Sequence, residues 1–152
     1  INEVVNYNMD LVASEQIAGS SVGVRILFTV NSWEIIKENA LIGVGTGDFI
    51  SEYKKINVLK SPLAPYSTNP HNMYVLVLVQ LGIVGLLSML SITYYQIKLS
   101  FKEPDKFFRD VGFALPLLFL VIMFSDTYLL GHITSLMFVF FSSFLYKGFE
   151  RS

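Results

Sequence analysis

From Met73 to Tyr95 the chain runs without a single charged side chain. About 20 consecutive apolar residues let a helix cross the hydrocarbon core of a bilayer, so this run predicts a transmembrane helix over about 72–96. Two further apolar runs follow. Val111 to Leu129 is interrupted by Pro116 and Asp126, and Ile133 to Tyr146 needs its flanks Gly131, His132, Gly148 and Phe149 to approach span length. They predict helices over about 111–129 and 132–148. Pro116 is expected in the first turns of its helix, where a missing N–H does least harm. The expected fold is an all-α integral membrane protein: a periplasmic loop region with an amphipathic helix, followed by three transmembrane helices.

Basic residues set the orientation of such spans. The connector 97–110 carries Lys98, Lys102, Lys106 and Arg109 and is expected in the cytoplasm. The tight link Leu130–His132 has no Lys or Arg and is expected outside, and the tail with Lys147 and Arg151 returns the C-terminus to the cytoplasm. Residues 1–71 then lie on the outer, periplasmic side. The chain starts at Ile1, and its first twenty residues lack the basic and apolar regions of a signal peptide. It reads as the C-terminal part of a longer protein. Only 15% of residues are charged and the net charge is −1, against about 25% charged in a soluble domain. Without a basic surface, nucleic acid is not an expected partner. The absence of cysteine removes disulfides, Cys-based zinc sites and thiol nucleophiles.

The first seventy residues are mixed in polarity. Ser20 or Ser21 can cap a helix over about 22–39. Arg25, Thr29, Ser32 and Ile36 share one sector of it, and Val24, Ile26, Leu27, Phe28, Val30, Trp33 and Ile35 occupy most of the rest. Such a helix is expected at the membrane surface or against other spans. A glycine-rich turn over 43–47 follows, then a short helix within 49–60. A loop over 61–70 holds Pro62, Pro65 and Pro70.

Four places could carry chemistry. His71 precedes Gly82 by eleven positions, about three helical turns, and Gly85 lies about 40° off the same face. Small residues let membrane helices approach closely, so His71 is expected to face into the bundle at its outer mouth. Two roles are open to it: a general base or hydrogen-bond donor, and a capping or interfacial histidine. Arg25 is open to two as well: a bidentate clamp on phosphate or pyrophosphate, and an arginine that snorkels to the interface. The stretch GVGTGD is neither a dinucleotide fingerprint nor a P-loop, although its backbone N–H groups could approach an anion. Asp126 and His132 lie near the outer ends of the second and third spans and are expected to pair, closing the hairpin. Two histidines without a ligand-spaced carboxylate cluster give no metal site.

The order Arg25, Trp33, Leu41-Ile42-Gly43-Val44-Gly45-Thr46-Gly47-Asp48-Phe49, His71-Asn72-Met73-Tyr74 and Gln80-Leu81-Gly82-Ile83-Val84-Gly85 resembles the O-antigen ligase family of bacterial membrane glycosyltransferases. That family also takes in related polymerases and protein O-oligosaccharyltransferases. The resemblance covers roughly residues 20–90. Ala40 departs from it, standing where the family often has proline after asparagine.

The resemblance implies a larger protein of the bacterial inner membrane with about a dozen helices, of which residues 1–70 form the later part of the main periplasmic loop. It implies an undecaprenyl-pyrophosphate-linked glycan as donor and a sugar of the lipid A core, or another glycan, as acceptor, with no metal and no nucleotide cofactor. By the same resemblance Arg25 binds the donor pyrophosphate, His71 deprotonates the acceptor hydroxyl, and a further arginine lies upstream. Polysaccharide polymerase and protein O-oligosaccharyltransferase are the nearest alternatives. A transporter or structural subunit is less expected, because the spans hold few ionisable groups.

Overall fold

The computed structural model describes residues 20–62, 64 and 66–146. Residues 1–19, Leu63, Pro65 and 147–152, on which the expected end of the last helix at 147–148 and the basic tail with Lys147 and Arg151 fall, lie outside the described residues. Among the described residues the secondary structure is entirely helical: α1 (Ser21–Glu38), α2 (Phe49–Lys60), α3 (Met73–Ser100), α4 (Lys106–Ile122), a 3-10 turn at Tyr128–Leu130, and α5 (His132–Leu145).

Ser20 opens α1 as an N-cap whose hydroxyl accepts from Gly23 N–H at 3.0 Å. The helix buries Leu27, Phe28, Asn31, Ser32, Ile35 and Ile36 and leaves Val22, Ile26, Val30 and Trp33 exposed along its opposite side. The sector shared by Arg25, Thr29, Ser32 and Ile36 is therefore split. Ser32 and Ile36 enter the core, while Arg25 is exposed and Thr29 half-buried. Helix α2 packs on α1 through Tyr53, which is fully buried, stands edge-on to Phe28 and accepts a hydrogen bond from Asn31 Nδ2. Burial pushes the Tyr53 phenol above its ordinary pKa, and the Asn31 contact opposes that only in part.

Helix α3 is about 42 Å long at 1.5 Å per residue. Among the described residues it is the one helix long and apolar enough to cross a membrane. It is broken at Gly82, whose φ of 63° and ψ of −162° are non-helical. The break releases backbone groups, and the glycine turn takes them up. Val44 and Gly45 N–H donate to the Val79 and Gln80 carbonyls at 2.8 and 2.9 Å, and Ile83 and Val84 N–H donate to the Ala40 and Leu41 carbonyls at 2.9 and 3.3 Å. A Cβ on Gly82 would collide with the Leu41 carbonyl, and one on Gly43 with that of Gln80. The glycines thus admit a loop backbone rather than a second helix. The Val44 and Gly45 N–H groups, which the sequence left open to an anion, are already committed.

Helix α4 starts at Lys106, because Asp105 Oδ1 accepts from Phe107 and Phe108 N–H at 2.8 and 3.2 Å. The expected connector 97–110 shrinks to 101–105, with Lys98 in the last turn of α3 and Lys106 and Arg109 in the first turns of α4. Pro116 therefore sits in the helix interior rather than in its first turns. Proline cannot donate to the carbonyl four residues before it, and that carbonyl, Gly112 O, accepts instead from Tyr146 Oη at 2.6 Å. A second link between helices is Gln96 Nε2 to Ser142 Oγ at 2.9 Å, from α3 to α5. Helix α4 ends at Ile122, short of the expected 129, because the Met123 carbonyl turns to accept from Met73 N–H at 2.9 Å. At about 26 and 21 Å, α4 and α5 are shorter than a hydrocarbon core of about 30 Å.

Candidate functional site

His71 does not belong to α3. Asn72 is the N-cap, its Oδ1 accepting from Tyr74 and Val75 N–H at 3.0 and 3.2 Å. A helical-face relation between His71 and Gly82 therefore does not apply. His71 has φ 51°, in the left-handed region that non-glycine residues seldom occupy. Such backbone persists where the surroundings over-determine it, and here they do. Asn69 Oδ1 accepts from His71 N–H at 2.6 Å, Ser67 Oγ accepts from Asn69 N–H at 3.2 Å, and Pro70 is fully buried.

The imidazole lies between two neighbours. One face stacks on Phe28 of α1, with ring centroids 6.1 Å apart and planes 21° from parallel. On its edge, Nδ1 faces Asp126 Oδ1 at 3.2 Å. Asp126 comes from the turn between α4 and the 3-10 turn, where its Oδ1 also accepts from Thr127 N–H at 2.7 Å. Burial alone would raise the Asp126 carboxyl; the Thr127 N–H and the adjacent His71 outweigh it, and the net effect is a value below the ordinary one. An ionised carboxylate only accepts hydrogen bonds. In the neutral ring the hydrogen is therefore held on Nδ1, and Nε2 keeps the lone pair.

Asp126 was expected to pair with His132. It pairs instead with His71, 55 residues away, while His132 begins α5 as an exposed residue. The α3 N-terminus and the α4 C-terminus are tied by the Met73–Met123 bond and by Tyr74 Oη donating to the Leu120 carbonyl at 2.7 Å. That tie carries Asp126 to the histidine. No local spacing announces the pair; the one sequence signal was a carboxylate inside an apolar run.

Arg25 and His71 line the same open cleft of about 260 Å³, together with Thr29, Asn72, Phe124 and Ser125. Arg25 Nη1 reaches the Ser125 carbonyl at 3.4 Å, a long contact that leaves most of the guanidinium's donors to the cleft. The two side chains singled out in the sequence are thus brought together by α1 packing across the start of α3. Phe28 and Asn69, which the sequence did not single out, hold His71 together with Asp126, which it singled out for another partner. Among the described residues, no group of three or more His, Asp or Glu is gathered within reach of one metal ion.

Residues 2–90 match the O-antigen ligase family. The match takes in Arg25, the glycine turn, His71 and the break at Gly82, and stops short of Asp126. No curated protein and no solved structure gives a significant match. Spanning more than half of the 152 residues, the match shows that this chain belongs to the O-antigen ligase family, whose members are glycosyltransferase-like membrane enzymes.

Proposed function

We propose that the full-length protein transfers a glycan from undecaprenyl pyrophosphate to an acceptor hydroxyl, such as that of a lipid A core sugar, at the periplasmic face of the bacterial inner membrane. The observation that carries this reading is the shared cleft of Arg25 and His71, with the imidazole Nδ1 held by Asp126. The acceptor oxygen attacks the anomeric carbon of the donor sugar. The bond from that carbon to the pyrophosphate oxygen breaks, and the electron pair leaves with the lipid pyrophosphate. His71 Nε2 takes the acceptor proton, and Asp126 stabilises the imidazolium that forms. Arg25 holds the pyrophosphate and offsets the charge that grows on it, since a guanidinium keeps its charge and binds phosphate oxygens in pairs.

The membrane placement belongs to the same proposal. Helices α3, α4 and α5 are taken as the three spans, with residues 1–71 outside. Lys98, Lys102, Lys106 and Arg109 lie at the end of the α3–α4 hairpin opposite His71, which supports that orientation. The exposed side of α1 and the exposed Leu136, Val139, Phe140 and Phe144 of α5 offer apolar surface to lipid or to other helices.

The test is a gel of lipopolysaccharide from a host lacking its own ligase, supplied with full-length wild type, His71→Ala or Arg25→Ala at equal membrane levels. The expected result is a polymer ladder on lipid A core for wild type and none for either variant. Longer chains on the lipid carrier without that ladder would point to a polymerase. A ladder that persists in His71→Ala would remove the base from the mechanism.

A further inference from the structure

The wall behind His71 has a second side. Segments 69–72 and 124–127 meet there, and their residues divide between two clefts. Pro70, His71, Asn72, Phe124 and Ser125 line the Arg25 cleft. Asn69, Asp126 and Thr127 line a separate open cleft of about 390 Å³, bordered by Tyr128, Gly131 and Thr134. No lysine or arginine lines this second cleft, and it holds a carboxylate. An anion is therefore disfavoured there, in contrast to the side that holds Arg25. Among the described residues, Asp126 Oδ2, Asn69 Nδ2 and Tyr128 Oη make no hydrogen bond, while Asp126 Oδ1 and Asn69 Oδ1 are engaged by His71.

We propose that the second cleft is a saccharide subsite, which takes one neutral sugar ring beside the pyrophosphate cleft. This rests on the glycan-transfer reading. Adjacent sugar hydroxyls both donate and accept, and Asp126 Oδ2 and Asn69 Nδ2 offer one acceptor and one donor from the same wall. The Tyr128 ring supplies a flat apolar face with a polar tip for the C–H side of the sugar. Asp126 then has two faces: Oδ1 positions His71, and Oδ2 holds the ring. The ring belongs either to the donor glycan or to the acceptor, and the chemistry is the same for both.

The experiment measures sugar binding rather than transfer. Full-length protein in nanodiscs is titrated by saturation-transfer NMR with two lipid-free probes, the core oligosaccharide of the host and the O-antigen repeat oligosaccharide. The proteins are wild type, Tyr128→Ala, Tyr128→Phe and Arg25→Ala. Binding of one probe is expected to weaken about tenfold in Tyr128→Ala and about threefold in Tyr128→Phe, and to hold in Arg25→Ala. The probe that loses affinity identifies the ring as acceptor or donor. Tyr128→Phe deletes only a hydroxyl without a hydrogen bond, so it reports even if Tyr128→Ala misfolds. Unchanged binding in both Tyr128 variants would make this residue a membrane-interface tyrosine and overturn the subsite. So would no binding to wild type, or equal loss in Arg25→Ala. Failure of the transfer reading shows separately, in the lipopolysaccharide gel.

Discussion

Gly82→Ala tests how the broken helix α3 is held. At φ 63° and ψ −162° the residue lies in a region that essentially only glycine occupies, and an alanine forced into it costs about 1–3 kcal/mol. The added Cβ also strikes the Leu41 carbonyl, which is backbone and cannot swing aside. The turn over Ala40–Gly45 must then withdraw. Withdrawal puts at risk four backbone hydrogen bonds of 2.8 to 3.3 Å. Losing two of them adds about 2 kcal/mol at a net value near 1 kcal/mol each, for a total of about 3–5 kcal/mol. A helix that straightened would recover some of its own bonds, so the lower half of that range is expected. The assay is thermal unfolding of the full-length protein in detergent, followed by tryptophan fluorescence, since Trp33 stands on α1. At about 2–4 °C per kcal/mol, a fall of about 6–15 °C is expected. Gly47→Ala is the control. It also has positive φ, at 95°, but a Cβ there meets nothing within 4 Å, so only conformational strain of about 1–2 kcal/mol remains. If Gly82→Ala melts no lower than Gly47→Ala, the turn does not brace the break.

Three other perturbations separate the remaining parts. Tyr146→Phe leaves the Gly112 carbonyl without the partner it has beside Pro116, and is expected to cost about 1–2 kcal/mol; adding Pro116→Ala should recover part of the loss by restoring an N–H, read as non-additivity of the melting shifts. Asp126→Asn removes the carboxylate that holds the hydrogen on His71 Nδ1, and should lower kcat for transfer at least about tenfold. The lowered Asp126 pKa gives a sign for pH. Its stabilising contribution is present above the ordinary carboxylate range and is lost as pH falls through the lowered value. The wild type should therefore lose more stability than Asp126→Asn between pH 5 and pH 3, measured as melting temperature. Arg25→Lys keeps the charge but not the two-pronged geometry, and should raise donor KM about tenfold with kcat less affected.

Local physics was readable wherever one segment decides its own structure. The charge-free run at Met73–Tyr95 forms the long helix, and the serine before the apolar helix caps it. Arg25 and His71 stood out because each is a polar group at the edge of apolar sequence. What could not be read depends on distant contacts. Asn72 is the better N-cap and took that role at the expense of placing His71 on the helix. The helical period runs unbroken through Gly82, and nothing local says that Ala40–Gly45 will intrude there. Asp126 finds His71 rather than the nearer His132 because Met73 and Tyr74 fasten the end of α4 to the start of α3. Pro116 was misplaced for a simpler reason: Asp105 starts the helix at Lys106, five residues before the expected 111.

The seam between the glycine turn and the break at Gly82 bears on how such a protein can be inherited or recombined. Residues 40–45 and 79–84 share backbone hydrogen bonds and leave no space for a Cβ at Gly43 or Gly82. A homologue's outer segment grafted onto this long helix, or the reverse, would join two surfaces shaped for other partners. A graft that keeps the seam intact therefore runs from before Ala40 to beyond Val84, and His71 travels with it.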